Sequence, residues 1–258
     1  MVPPVQLEPV SLDAAGCREL ADVLGDTPET VIADHVLRRG VARAYVVGRL
    51  PRFAAAVVEN FAFNADELIG FGDDPSVLWD VLRSLSGWSC VEVTAAVAPA
   101  LGPLVAAATG SPVRSLDAIY HVLARPVVPF RHEAVRLLTP ADTDLLERAP
   151  DGLRGAGYRS ARELLTDGIA AAAVVDGGIA AIAHTSARSA RHADIGVGTV
   201  AAWRGRGLAT AAAALVAERI QGAGQIPVWS TGATNPASLR VARKLGFVEV
   251  ARRTYVIR

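Results

Sequence analysis

Residues 194–221, DIGVGTVAAWRGRGLATAAAALVAERIQ, decide how the rest of this chain is read. Ile195 to Val200 is a run of small and β-branched residues suited to a buried strand. Arg204-Gly205-Arg206-Gly207 breaks the run, and from Leu208 the apolar positions 208, 212, 215, 216 and 220 follow helical spacing until Gly222 and Gly224 stop the helix. The loop therefore brings two glycines and two arginines to a helix N-terminus. Free N–H groups, the positive end of the helix dipole and the missing Cβ atoms of Gly205 and Gly207 suit a bound phosphate there. The small residues Ala209, Thr210 and Ala211 keep the first turn open. Gly196-Val197-Gly198-Thr199-Val200-Ala201 also matches the dinucleotide pattern G-x-G-x-x-A, but its glycines lie inside the strand and the RGRG loop intervenes before any helix. The chain contains no G-x-x-x-x-G-K followed by Ser or Thr, which excludes a P-loop.

Arg204-Gly205-Arg206-Gly207-Leu208-Ala209 resembles the signature of the GNAT superfamily of N-acetyltransferases: Gln or Arg, two residues, Gly, one residue, then Gly or Ala. Thr199-Val200-Ala201-Ala202-Trp203 stands where members carry a strand end, a turn and an aromatic residue. Asn235-Pro236-Ala237-Ser238-Leu239 followed by Lys244-Leu245-Gly246-Phe247 is similar to the family's later helix. The resemblance covers Val135 to Arg258. It implies acetyl-CoA as co-substrate. Its pyrophosphate would lie on Arg204, Gly205, Arg206, Gly207, Leu208, Ala209 and Thr210, and its pantetheine on the backbone of Val197, Gly198, Thr199 and Val200, with Asn235 reaching it from the next helix. Asn235 also reads as an ordinary helix cap before Pro236. The tyrosine that many relatives use to protonate the departing thiol is replaced by Ala242, which leaves Ser238 as the nearest donor.

Acetyl transfer to an amine also needs a proton removed. At pH 7 an amine of pKa about 10.4 is only about 0.04% neutral, a penalty near 4.6 kcal/mol; an α-amine of pKa about 8 costs only about 1.4. Relatives often place a glutamate on the strand before the loop, and none stands here. His192 and Asp194 are the candidate bases, with His184 on the preceding strand and action through water as alternatives.

Composition bounds the rest. The 258 residues are 51% hydrophobic and 20% charged, enough for one large core or two ordinary ones. Twenty-six basic against 26 acidic residues argue against nucleic acid or an anionic membrane as partner. Cys17 and Cys90 form neither a disulfide framework nor a metal cluster, and five scattered histidines lack ligand spacing, so no metal is expected. MVPPVQLEPV has no secretory pattern, and no apolar run reaches about 18 residues, so a soluble, cytoplasmic protein is expected, monomer or homodimer.

Arg125-Pro126-Val127-Val128-Pro129-Phe130 reads as a connector. The expected fold is α+β in two domains. Residues 129–258 form a mixed, twisted sheet flanked by helices, the acetyltransferase fold. Residues 1–128 form a smaller α/β domain that could be a degenerate copy of the other and shapes the amine site. Residues 131–258 are then expected to bind acetyl-CoA alone. Three functions compete: N-acetyltransferase for a small amine, amino acid or peptide; non-catalytic CoA or acyl-CoA sensor; and, through G-x-G-x-x-A, nucleotide binder.

Overall fold

In the computed structural model, which describes residues 8–63 and 66–258, strand and helix content follows the expected α+β pattern. The first half runs β1 (Val10–Ser11), α1 (Ala14–Leu24), α2 (Val31–Arg39), β2 (Ala42–Arg49), β3 (Arg52–Asn60), β4 (Glu67–Phe71), α3 (Pro75–Leu82), β5 (Cys90–Thr94), α4 (Ala98–Thr109) and β6 (Arg114–Val122). The second half runs β7 (Val135–Leu137), α5 (Thr143–Glu147), α6 (Ala161–Asp167), β8 (Ala170–Val175), β9 (Gly178–Arg188), β10 (His192–Thr199), α7 (Leu208–Gly222), β11 (Ile226–Gly232), α8 (Pro236–Leu245) and β12 (Val248–Ile257). Both halves repeat one order: strand, two helices, three strands, helix, strand, helix, strand. The repeat that the residue pattern left open is plain in the element order.

Local chemistry sets the ends of these elements. Asp13 caps α1, its carboxylate accepting from the Gly16 N–H at 2.8 Å. Ser160 caps α6, its Oγ accepting the Glu163 N–H at 3.1 Å, while the Glu163 carboxylate reaches back one residue farther, to the Arg159 N–H at 2.7 Å. Asp176 (φ 50°) and Gly177 (φ 75°) take the left-handed conformations that a two-residue hairpin requires, joining β8 to β9. Ala212, Ala213, Ala214, Val216, Ala217 and Ile220 bury α7 in a core with Trp229, Leu245 and Phe247. Alanine's small side chain lets that helix lie close to β8, β9 and β10.

Compact units do not follow the halves. One comprises Val36–Ala118 and Arg252–Arg258 with the described part of Met1–Gly25; the other comprises Asp26–His35 and Ile119–Ala251. The boundary expected at 128/129 therefore lies near 118/119, and segments are exchanged. In the first unit the strand order is β1-β2-β3-β4-β5, followed by residues 253–257 of β12 antiparallel to β5. In the second it is β7-β8-β9-β10-β11, followed by the end of β6, where the Leu123 N–H donates to the Pro227 carbonyl at 3.0 Å. The last strand of each half thus completes the other half's unit.

Each unit contains one fork between two parallel strands. In the second unit β10 and β11 pair only at His192–Ile226, Ala193–Pro227 and Asp194–Val228 before parting. In the first unit β4 and β5 pair at Glu67–Cys90, Leu68–Val91 and Ile69–Glu92 before parting. The first fork is filled. Arg253, 4% exposed, donates from Nη2 to the Gly70 carbonyl at 2.7 Å and the Glu92 carbonyl at 3.1 Å. Its Nε lies 2.8 Å from the Glu92 carboxylate and its guanidinium over the Phe71 ring. Only Gly72, Asp73 and Asp74 link β4 to α3, and the Asp74 carboxylate caps that helix through the Ser76 and Val77 N–H groups. No RGRG-like loop stands there.

The exchange of segments bears on the isolated second half. Cutting the chain to residues 131–258 removes Asp26, His35, Leu123 and Val127 from the second unit, together with the strand that borders β11. We expect that fragment to show no cooperative thermal transition by circular dichroism, whereas the full chain does; a sharp transition in the fragment would restore the simple two-domain division.

Candidate active site

α7 is the helix at whose start the sequence places its phosphate loop, and it begins with no side-chain cap. The first N–H groups of a helix have no partner within it. Elsewhere Asp13, Asp74, Ser160 and Asn235 supply such partners. At α7 the cap position is Gly207, at φ 80°, and Gly205 before it is at φ 79°, conformations that side-chain-bearing residues rarely adopt. A Cβ on Gly207 would point at Phe130, 3.1 Å from its ring, rather than into the cleft, whereas one on Gly205 would meet nothing within 4 Å. The connector thus presses on the loop: Phe130 lies against Gly207 and beneath the Lys244 ammonium, 4.4 Å from its ring centre.

The uncapped helix end opens into a cleft of about 730 Å³. Val197, Gly198 and Thr199 line it from the end of β10, where β11 has parted from that strand; Arg204, Gly205 and Gly207 from the loop; and Leu208, Ala209 and Thr210 from the first turn of α7. Asn235 and Ser238 face it from the start of α8. These residues, scattered through 42 positions from 197 to 238, are brought together. The sequence reading assigned no role to Trp203, Ala237, Arg240, Val241 and Lys244, which also line the cleft. Positions 237, 241 and 244 lie on one face of α8 at helical spacing, so the periodicity counted from Asn235 and Ser238 pointed to them. Arg204, Arg240 and Lys244 make the lining cationic, and none of the described lining residues is acidic.

Four expected residues stand elsewhere. Val200 packs beside Leu153 and Leu164, and its N–H donates to the Ala180 carbonyl. Arg206 stacks on Trp203, 4.5 Å from ring centre to guanidinium. Asp194 is buried, its carboxylate accepting from the Ser186 hydroxyl and from the Ser230 N–H at 3.1 Å. His192 is buried at the start of β10, where its Nδ1–H donates to Asp26 at 2.6 Å. Neither Asp194 nor His192 lines the cleft. β10 runs from these residues to the cleft at about 3.3 Å per residue, which leaves His192 on the order of 16 Å from Val197. Burial works to raise the Asp26 carboxyl, but hydrogen bonds from His192, Ser189 and the Arg191 N–H outweigh it and hold that carboxyl below its ordinary value.

The two polar residues at the α8 end are already oriented. Asn235 caps α8, its Oδ1 accepting from the Ser238 N–H at 3.1 Å, which leaves its amide nitrogen and the second lone pair of Oδ1 for a ligand. The Trp229 Nε1–H donates to the Ser238 Oγ at 2.9 Å. Indole N–H can only donate, so the Ser238 hydroxyl proton is free to point elsewhere. Ala242 is fully buried in the core below.

His184 lies behind β10. Its Nδ1–H donates to the Gly196 carbonyl at 3.1 Å and its Nε2 accepts from the Ala156 N–H at 2.7 Å. Burial drives its pKa down to about 4, against the raising influence of the Gly196 carbonyl. The bond from Ala156 also requires a bare Nε2, so the ring stays neutral. A histidine whose folded pKa lies below its unfolded value contributes stability fully above about pH 6.5 and loses it as pH falls toward 4, where the unfolded chain takes up the proton first. The difference between 6.5 and about 4 corresponds to roughly 3 kcal/mol. In denaturant titrations the native chain should lose about that much more stability between pH 6.5 and 4 than His184→Gln does; identical slopes would show that His184 does not stay neutral in the fold.

Comparison with known proteins bears on family and fold. The model of the GNAT acetyltransferase family matches residues 140–256. No curated protein sequence matches the chain. Among solved structures, a GCN5-related N-acetyltransferase-like protein from Streptococcus suis is similar at 22% identity and a TM-score of 0.69, covering 95% of this chain and 99% of that one. A GCN5-related N-acetyltransferase from Sphaerobacter thermophilus aligns at 17% identity and 0.57, covering 99% and 96%. A tandem GNAT protein from the clavulanic acid biosynthesis pathway aligns at 16% identity and 0.54, covering 96% and 97%. Residues 140–256 are thus similar to the GNAT acetyltransferases, and the chain as a whole has a fold that the solved structures share over nearly its full length.

Proposed function

We propose that the protein is an acetyl-CoA-dependent N-acetyltransferase that uses only the second unit's fork for its cofactor. The observation that carries this reading is the uncapped start of α7, opening between two left-handed glycines into a cationic cleft that ends at unpaired strand backbone. The pyrophosphate would bind the N–H groups of the first turn of α7 with Arg204 beside them. Pantetheine would run along Val197–Thr199 as a missing neighbour to β10, and an N–H there would stabilise the oxyanion that forms when the amine attacks the thioester carbonyl. As the C–S bond breaks, the Ser238 hydroxyl, held by Trp229, donates a hydrogen bond to the departing thiolate. A thiol of pKa about 8.5 needs little more help.

His192, Asp194 and His184 do not line the cleft, and in this reading the attacking amine loses its proton to solvent, directly or through water. That favours acceptors of low pKa: a peptide or amino-acid α-amine over a lysine-like side chain. Small-molecule amines of similar pKa fit equally. We place the protein in the cytoplasm, as monomer or homodimer, with no metal. Among the described residues no helix is long and apolar enough to cross a membrane, and no group of three His, Cys, Asp or Glu could hold a metal ion.

Calorimetry should find one acetyl-CoA site per chain, since Arg253 and Asp74 occupy the first unit's fork and helix start; two sites would refute that assignment. Release of free thiol should be seen with a panel of α-amines, with kcat/KM rising about tenfold per pH unit up to the amine's own pKa. An additional inflection near pH 6.5 would restore a histidine base. Tight acetyl-CoA binding with no amine consumed would instead support the sensor.

A further inference from the structure

Lys244 is the only lysine of the chain, and it lines the cofactor cleft. Arg131, Arg136 and Arg252 each stand within 3.0 Å of a carboxylate. Arg204, Arg240 and Lys244, all exposed, have no such partner among the described residues. Arg240 and Lys244 lie one turn apart on α8, a spacing at which like charges repel. An anion bound to both would relieve that repulsion. Lys244 is nevertheless held, its ammonium lying 4.4 Å from the centre of the Phe130 ring. The connector fixes that ring in turn. The Val127 N–H donates to the Gln221 Oε1 at 3.2 Å, and the Gln221 amide donates back to the Arg125 carbonyl at 2.6 Å. The Val128 N–H donates to the Leu245 carbonyl at 3.3 Å, and the Arg131 guanidinium to both Glu218 oxygens at 2.7 and 2.9 Å. The connector is thus bonded to α7 and α8, the two helices that line the cleft, and it sets one aromatic ring against both Gly207 and Lys244.

A long lysine side chain gives up much rotamer freedom when it binds a ligand. A ring face that already holds the ammonium removes part of that cost before the ligand arrives. The free N–H groups of α7 and Arg204 answer the charge of a pyrophosphate, which leaves Arg240 and Lys244 as cations in excess. Coenzyme A carries a further phosphate, a monoester on the ribose 3′ oxygen, with about two negative charges at neutral pH. We propose that Phe130 is a positioning residue of the cofactor site: it holds Lys244 one ring's width from the phosphate loop, where Lys244, with Arg240 beside it, takes the ribose 3′-phosphate. The inference rests on the acetyl-CoA reading for its ligand. It makes the connector part of cofactor recognition, and it makes the site distinguish CoA from dephospho-CoA.

Calorimetry of the full chain with CoA and with dephospho-CoA, which lacks only the 3′-phosphate, tests this. The wild-type protein should bind CoA about tenfold more tightly. Lys244→Gln should cut that ratio to about two, and Phe130→Leu, which keeps apolar bulk but no ring face, to about three. Phe130→Tyr, which keeps the face, should hold the ratio near the wild-type value. Affinity for dephospho-CoA should change little in all three variants, because a Phe130 that only packed the loop would weaken both ligands alike. Such a parallel loss in Phe130→Leu overturns the positioning role. Equal affinity of the wild-type protein for the two ligands overturns the inference and leaves the cofactor reading standing; binding of neither overturns both. If a variant does not fold, the wild-type protein decides the matter alone. Isotope-labelled lysine gives one side-chain Cε resonance, since Lys244 is the only lysine. A shift of that resonance with CoA and none with dephospho-CoA supports the inference, and the same response to both overturns it.

Discussion

Two parallel strands that part after three residue pairs leave backbone groups that must bond to something else. A buried N–H or C=O without a partner costs as much as a lost hydrogen bond, so a fork in a sheet is stable only if its edges are satisfied. β10 remains paired on one side with β9 as far as Thr199–Ala181, but on the β11 side its ladder stops at Asp194. At that point the Asp194 carboxylate takes over, accepting the Ser230 N–H that would otherwise have lost its strand partner. Beyond it, Val197–Thr199 open to the cleft. A residue that reads as a base is, in the fold, the pin of the fork.

The first unit has the same fork and closes it. Gly70 lies one residue past the last β4–β5 pair, and its carbonyl receives Arg253, whose charge is answered by Glu92. Removing one partner of such a buried pair leaves an uncompensated charge and costs on the order of 3–5 kcal/mol, so the plug and the strand that carries it depend on each other. Asp74 does at α3 what a bound anion would do at α7: it places negative charge on the free N–H groups of a helix start. The same topology yields an open site in one unit and a closed one in the other, and the difference comes down to a few residues.

Elements with local causes were legible in the sequence: the RGRG loop before its helix and the helix that begins at Asn235. Relations between distant segments were not. Strand alternation reports which face a side chain takes but not which end of the sheet it occupies, and so His192 and Asp194 looked close to a cleft that lies farther along the same strand. The exchange of β6 and β12 leaves no local mark, since a strand pairs equally well with either half's sheet. The repeat was hidden because its most recognisable part, the loop before α7, is the part that the first half replaced with Gly72-Asp73-Asp74.

Gly196 and Gly198 show how one pair of residues can support two opposed readings. As a motif they suggest phosphate, because glycine lets backbone approach a ligand. In the fold they do let something approach, but it is the chain's own His184 and Leu153. The glycines of the cleft loop are Gly205 and Gly207, nine residues later, and there Gly207 lacks a side chain beside Phe130. Glycine marks close approach without saying by what. Only the neighbouring elements resolve it: a helix start with no cap of its own beside Gly207, and a buried imidazole with both nitrogens bonded beside Gly196.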